Sequence, residues 1–311
     1  YKQYVPKEVT FKGRIKMMLS FFIGTFNNVF KIPKTDLVIT IIPYTLSVVP
    51  SAFLAKRKKA KLWIHIQDFE FDLALDSGIL KKNSFFSKIF QKCIFLFEKK
   101  LLNRANVVSS ISFKMLEKIQ VKSNQKDPYY FPNWVSSEKI NPNLFSQHRY
   151  ISKDKFTLLY SGNIGEKQDW PFLKDLCKKF VGENTMEIVI VGDGSYKKKL
   201  QNDLSQFSFV SFYDPLPFEE LNDLLCSADL HFLFQKTEVI DTIMPSKILG
   251  MMASQKPSII TGNKASEVFK IVEDSRGGSF FYNNNVDEVY LGILKYYNNP
   301  SFCEETGINA R

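Results

Sequence analysis

Apolar positions along this chain change period in a regular order. Residues 37–42 form an apolar, β-branched run, and 62–66 form a second largely apolar one. Both predict strands. Between them a helical pattern runs through Ala55 and ends in a basic turn. Residues 85–102 are apolar at helical spacing, with Glu98, Lys99 and Lys100 on the wet side. A short strand at 107–110 and a short helix at 113–119 follow. The alternation restarts further on, with strands near 156–161, 187–191, 208–212, 229–234 and 257–261. Helices are expected near 170–180, 195–204, 217–227, 246–254 and 265–273. Strands alternating with helices predict parallel α/β sheets.

Residues 136–155, between the two series, are polar and contain Pro142 and Lys153-Asp154-Lys155. They predict an interdomain connection. The expected domains are 1–145 and 146–300, with 301–311 opening a C-terminal helix. The first shows about three strands, and the chain begins at Tyr1 without Met, so a fragment with a truncated first domain is expected. Asn283-Asn284-Asn285 reads as a loop. With 311 residues and 44% hydrophobic content the chain can fill two cores, which excludes disorder. Cys93, Cys177, Cys226 and Cys303 are scattered without a CxxC, so buried free thiols in a reducing cytoplasm are expected, and no metal set. No apolar run of about 20 residues is present, which excludes a spanning helix. No signal-peptide pattern appears.

Charge changes the picture. The net charge is +10, and residues 1–61 hold twelve Lys and Arg against two acids, Glu8 and Asp36. Residues 11–30 combine Lys12, Arg14 and Lys16 with Met17, Met18, Leu19, Phe21, Phe22, Ile23 and Phe26. A basic amphipathic helix of this kind predicts contact with an anionic membrane surface. The plainer reading is a helix packed on its own sheet with its basic residues solvated. No nucleic-acid motif accompanies the charge, so nucleic acid is not an expected partner.

Candidate chemistry clusters at turns after strands. Met244-Pro245-Ser246-Lys247 stands between the strand near 229–234 and a helix, with the next strand after Pro257. Helix N-termini present free N–H groups to phosphate, and Lys247 adds a mobile positive charge. Two further strands break into glycine turns, Gly162-Asn163-Ile164-Gly165-Glu166-Lys167-Gln168 and Gly192-Asp193-Gly194. One such turn has ordinary geometric uses; three in one half predict a nucleotide-binding sheet. His65 and Asp68 close a strand of the first domain, and strand C-termini face the ligand crevice in open α/β sheets. Asp72 would join them if a helical turn follows. His148 and His231 carry no motif and read as structural. No Asp-x-Asp, Walker loop or Gly-x-Gly-x-x-Gly is present, so no metal or cofactor is expected.

At these residues the chain resembles bacterial family-4 glycosyltransferases of GT-B architecture. The branch is that of colanic-acid and O-antigen enzymes resembling fucosyl- and N-acetylfucosaminyltransferases. The resemblance rests on Trp63-Ile64-His65-Ile66-Gln67-Asp68, Phe131-Pro132-Asn133-Trp134-Val135, the Gly162–Gln168 turn, Gly192-Asp193-Gly194 and Pro245-Ser246-Lys247, over roughly residues 35 to 300. It implies two Rossmann-like domains whose parallel sheets face a cleft, and metal-independent, retaining transfer of a hexosyl or deoxyhexosyl group. The implied partners are a nucleotide-sugar donor and a lipid-linked or other glycan acceptor at the inner face of the plasma membrane. His65, Asp68, Lys167 and Lys247 would be catalytic; Gly162, Asn163, Gly165, Gly192, Pro245 and Ser246 would hold the donor. Asn163 stands where the family often has Arg. The family's paired glutamates fall on Thr242 and Gly250, so its ribose-gripping Glu is missing; Ser246 and Asp241 are the substitutes at hand. An inactive scaffold and an epimerase-like enzyme are the alternatives.

Overall fold

The computed structural model describes residues 3–6, 11–69, 71, 85–238 and 246–311. The chain divides into two units, Tyr1–Pro132 and Asn133–Arg311.

In the first unit, α1 (Phe11–Val29) precedes β1 (Leu37–Ile42), α2 (Val48–Lys58), β2 (Lys61–Ile66), α3 (Phe85–Leu102), β3 (Val107–Ser110), α4 (Phe113–Lys122) and β4 (Tyr129–Tyr130). The four strands are parallel and lie in the order β1-β2-β3-β4. Strand β1 buries Val38 and Ile42 and exposes Leu37, Ile39 and Ile41, as its period of two requires. Helix α2 ends at Lys59 in the left-handed region (φ 56°), with Lys56, Arg57 and Lys58 in its last turn. Those charges complement the negative end of the helix. Helix α1 packs by its aromatic face: Phe21 meets Tyr44 edge-on at 5.1 Å, Phe26 lies 5.4 Å from Phe53, and the Tyr44 hydroxyl donates to the Met18 carbonyl. Its outer side exposes Lys12, Ile15, Lys16, Leu19 and Ile23. Both readings of this segment therefore have a physical counterpart, one on each face. Among the described residues no helix is long and apolar enough to cross a membrane.

The second unit contains β5 (Phe156–Ser161), α5 (Trp170–Lys179), β6 (Met186–Val191), α6 (Lys197–Leu204), β7 (Val210–Tyr213), α7 (Leu221–Ser227), β8 (Leu230–Phe234), α8 (Lys247–Ala253), β9 (Ser258–Thr261), α9 (Glu267–Ser275), β10 (Gly278–Phe281), α10 (Val286–Asn298) and α11 (Pro300–Ala310). Its sheet is wholly parallel in the order β10-β9-β8-β5-β6-β7. Successive strands first run outward from β5 through β6 to β7. The chain then returns to the other side of β5 with β8, β9 and β10, which puts the topological switch point between β5 and β8. Central strands are buried on both faces, with Leu158, Leu159, Ile188, Val189, Ile190, Phe232 and Leu233 inaccessible to solvent. Side-chain caps start α5, α9 and α11: Asp169 accepts from Phe172 N–H, Ser266 from Phe269 N–H, and Asn299 from Phe302 N–H with Pro300 next in sequence.

Two details depart from the sequence pattern. The polar stretch 136–155 does not hang between units but packs into the second one. Ile140 and Ile151 enter the core beside Leu224, Leu225 and Ala228. The backbone is tied down by Asn222, which accepts from Asn141 N–H at 2.7 Å, and by Ser227, which accepts from His148 N–H at 2.9 Å. Two apolar anchors among polar neighbours outweighed the composition. Among the four free cysteines, Cys177 and Cys226 are buried as expected, whereas Cys93 is exposed on α3.

Candidate active site

The carboxyl ends of β5 and β8 meet at the switch point, where open α/β sheets leave a crevice for ligands. The turn after β5 is pinned there by backbone bonds. Asp169 N–H donates to Phe234 O at 2.9 Å, Lys236 N–H donates to Lys167 O at 3.3 Å, and Gln168 bridges to Gln235. From its other side the glycine turn after β6 presses against it. A side chain at Gly192 would place Cβ 1.9 Å from the Gly162 carbonyl oxygen, and one at Gly194 would place it 2.3 Å from that of Ile164. Bonds from Gly162 N–H to Val191 O and from Ile164 N–H to Asp193 O close the contact. The two glycines therefore let two loops approach backbone to backbone, ligand or not.

Lys247 opens α8 and is largely withdrawn from solvent. Its side chain folds back over β5, where Nζ donates to the Tyr160 hydroxyl at 2.5 Å and lies 4.3 Å from that ring's centroid. It occupies the space that glycine leaves at 162: a Cβ there would lie 3.2 Å from both Cε and Nζ of Lys247. Among the described residues it has no carboxylate partner. Burial lowers its pKa to about 8, because the charged form has lost water. An ammonium short of water is a group with which an anion can pair.

Gly162 and Lys247 are thus in contact, and Asn163 joins them through Tyr160, whose hydroxyl donates to Asn163 O at 2.7 Å. Gly165 is buried and accepts from Trp170 Nε1 at 2.7 Å. Ser246 is exposed at the start of α8, and the Lys167 side chain is exposed on the pinned turn. Pro245, with Asp241 and Thr242, lies outside the described residues, as does Asp72. At Gly250 an added Cβ would meet only the Leu225 Cδ1, at 3.2 Å, inside the unit. Beside the turn, Asn284 Nδ2 donates to Asp169 Oδ2 at 2.7 Å, while Oδ1 of Asn284 and Oε1 of Gln168 are buried without a hydrogen-bond partner among the described residues. The sequence reading gave no role to Tyr160, Gln168 or Asn284. The one signal available for Tyr160 was a phenol in an otherwise aliphatic strand end.

In the first unit His65 and Asp68 stand at the C-terminal end of β2. His65 is buried, its Nδ1 lies 2.9 Å from Ser109 Oγ, and Phe131 meets it edge-on at 5.5 Å. Trp63 Nε1 donates to the same Ser109 oxygen at 2.7 Å. Burial holds the imidazole below its ordinary pKa and therefore neutral at pH 7. Asp68 is half-buried. His148 pairs with Glu220 at 3.4 Å, and His231 is fully buried against Ser254 with its pKa lowered to about 3, so both serve packing.

Comparison with known proteins fits this geometry. Residues 155–299 match the family described as Glycosyl transferases group 1. The "Putative colanic acid biosynthesis glycosyl transferase WcaI" of Escherichia coli is 27% identical over 285 residues, covering 88% of this chain and 69% of that protein. Among solved structures, Anabaena HepE in complex with UDP-glucose superposes with a TM-score of 0.65 at 16% identity, over 97% of this chain and 78% of that one. WaaG, a glycosyltransferase involved in lipopolysaccharide biosynthesis, gives 0.67 at 14% identity, over 99% and 80%. The architecture is that of GT-B.

Proposed function

We propose that this chain, a glycosyltransferase with a group 1 domain over residues 155–299, moves a sugar from a nucleoside-diphosphate donor to a lipid-linked glycan of a cell-surface polysaccharide. The relatives named for colanic acid and lipopolysaccharide synthesis support the polysaccharide, and the UDP-glucose complex of HepE supports the donor class. One observation carries the reading: a desolvated ammonium, Lys247, without a carboxylate among the described residues, held over a glycine at the switch point.

The chemistry follows from charge. As the bond from the anomeric carbon to the diphosphate oxygen breaks, negative charge gathers on the leaving β-phosphate. We assign its neutralisation to Lys247 and Lys167, with loop N–H groups near Gly165 and Ser246; the burial of Lys247 strengthens its contact. Gly162, Asn163 and Gly192 are assigned to the wall of the donor site, and Pro245, outside the described residues, is assigned to the donor on the resemblance alone. His65 and Asp68, at the ligand-receiving edge of the other sheet, are assigned to the transferred sugar, and transfer is read as retaining. The exposed basic side of α1 is assigned to an anionic membrane surface that carries the acceptor.

A thermal-shift panel of UDP- and GDP-sugars tests the donor. A ligand at 100 times its dissociation constant adds about 2.7 kcal/mol of stability. The expected result is a shift with one base class that disappears in Lys247→Ala. No shift with any nucleotide sugar overturns the reading.

A further inference from the structure

Lysine has four rotatable side-chain bonds and a strongly hydrated head, so an ordered, partly buried ammonium needs something to hold it. Here the holder is visible. Tyr160 is 1% exposed, edge-on against Trp170 at 5.0 Å and tilted against Phe232 at 5.6 Å. A phenol hydroxyl has one proton to give and two lone pairs to offer. Its proton goes to the Asn163 carbonyl at 2.7 Å, so toward Lys247 it can only accept. The roles in the chain Lys247 to Tyr160 to Asn163 are therefore fixed. The same aromatic pair pins the turn at two points, because Trp170 Nε1 donates to Gly165 O.

We infer that Tyr160 is a positioning residue: its hydroxyl, oriented by the Asn163 carbonyl, holds the Lys247 ammonium over Gly162 for the leaving diphosphate. The inference rests on the proposed role of Lys247 and adds to it the device that aims the charge before the ligand arrives. Burial pushes the Tyr160 phenol up, so the hydroxyl stays neutral and leaves the positive charge of Lys247 available to the ligand. A tyrosinate there would have cancelled it. Gly162 completes the device by leaving room for the lysine stem.

The test uses the full chain and the variants Tyr160→Phe, Lys247→Ala and their double. Phenylalanine keeps the ring contacts and removes only the hydroxyl. Titration with UDP and with GDP across pH 6–10 gives affinity, and selective 13Cε-lysine labelling gives the pKa of Lys247 without any ligand. The expected loss in Tyr160→Phe is about tenfold in diphosphate affinity, the scale of one hydrogen bond to a charged group. The Lys247 titration should move to lower pH, because an acceptor that favoured the charged form is gone. In the Lys247→Ala background, Tyr160→Phe should cost nothing further. If Lys247→Ala binds both diphosphates like the parent chain, the role of Lys247 falls and this inference with it. If Lys247→Ala is weakened while Tyr160→Phe matches the parent in affinity and in the lysine titration, only the inference falls. An equal loss in both backgrounds makes Tyr160 structural and also overturns it. Should Tyr160→Phe not fold, 3-fluorotyrosine at 160 keeps shape and weakens the acceptor. A Lys247 titration unmoved by that replacement overturns the inference.

Discussion

Burial sets the pH behaviour of Lys247. With a pKa of about 8 in the folded chain against 10.5 in an unfolded one, the native state gives up its proton first. The unfolded chain therefore binds more protons between about pH 8 and 10.5, and stability contributed by this group rises with pH through that window. Below pH 8 the buried charge is a cost. Lys247→Met should leave thermal stability at pH 7 undiminished, while Lys247→Ala lowers transfer roughly a hundredfold, the scale of one lost transition-state stabiliser. A drop in melting temperature at pH 7 for the Met variant would show that the ammonium is a stabilising element instead. Activity should have the opposite pH sign. Only the ammonium neutralises phosphate, so kcat/KM is expected to decline as pH rises through about 8, whereas kcat holds to higher pH because bound diphosphate restores the proton. A kcat/KM profile flat to pH 10 would remove Lys247 from the chemistry.

At the level of elements, the two glycine turns behave as one part. Gly192→Ala puts a methyl 1.9 Å from a backbone carbonyl that is itself held by the β5 strand end. Neither side can yield as a flexible side chain would, so the variant should lose roughly 1–3 kcal/mol in denaturant melts and bind nucleoside diphosphate poorly. Gly250→Ala meets only the end of the Leu225 side chain, lies inside a helix, and should cost less. Equal stability of the two variants would mean that the loops are not pressed together. The glycines were readable from sequence because their spacing marks a strand running into a turn; that they face each other was not. The same limit applies to strands. The apolar runs gave β1, β2, β5, β6 and β8 within a residue or two; in β5, β6 and β8 nearly continuous burial leaves a nearly continuous apolar string, whereas β1 is apolar although it exposes every second side chain. Strand β4 was invisible because two exposed tyrosines carry no period. Strand β10, half-buried Gly-Ser-Phe-Phe at the sheet edge, has a glycine in it because a Cβ at Gly278 would lie 2.2 Å from the Ser258 carbonyl. Tyr160 escaped notice for a further reason: its partner Lys247 is 87 residues away, and its hydroxyl has a use only once the fold joins them.

At the scale of the whole molecule, charge and chemistry are separated along the chain. Twelve of 42 basic residues and two of 32 acidic ones fall within residues 1–61, which leaves thirty of each over the remaining 250. All of the net positive charge therefore belongs to the first unit, while Lys247 and the glycine turns belong to the second. Diphosphate binding needs one or two cations, so the excess is assigned to the anionic membrane surface proposed above. The faces of helix α1 are the basis of that assignment. Its inner face is spent on Phe53 and Tyr44, yet its outer face still exposes Ile15, Leu19 and Ile23 in one stripe beside Lys12 and Lys16. Basic residues flanking an exposed apolar stripe match the plane of an anionic bilayer, where each cation contributes about 1 kcal/mol and the stripe adds burial. Replacing Lys12, Arg14 and Lys16 by Glu reverses three charges and should release the protein from vesicles containing phosphatidylglycerol in a sedimentation assay. UDP and GDP affinity should not change, because that site stands in the other unit. Retention on vesicles at physiological salt would return α1 to a packing role, and a parallel loss of nucleotide affinity would show that the two units do not divide the work.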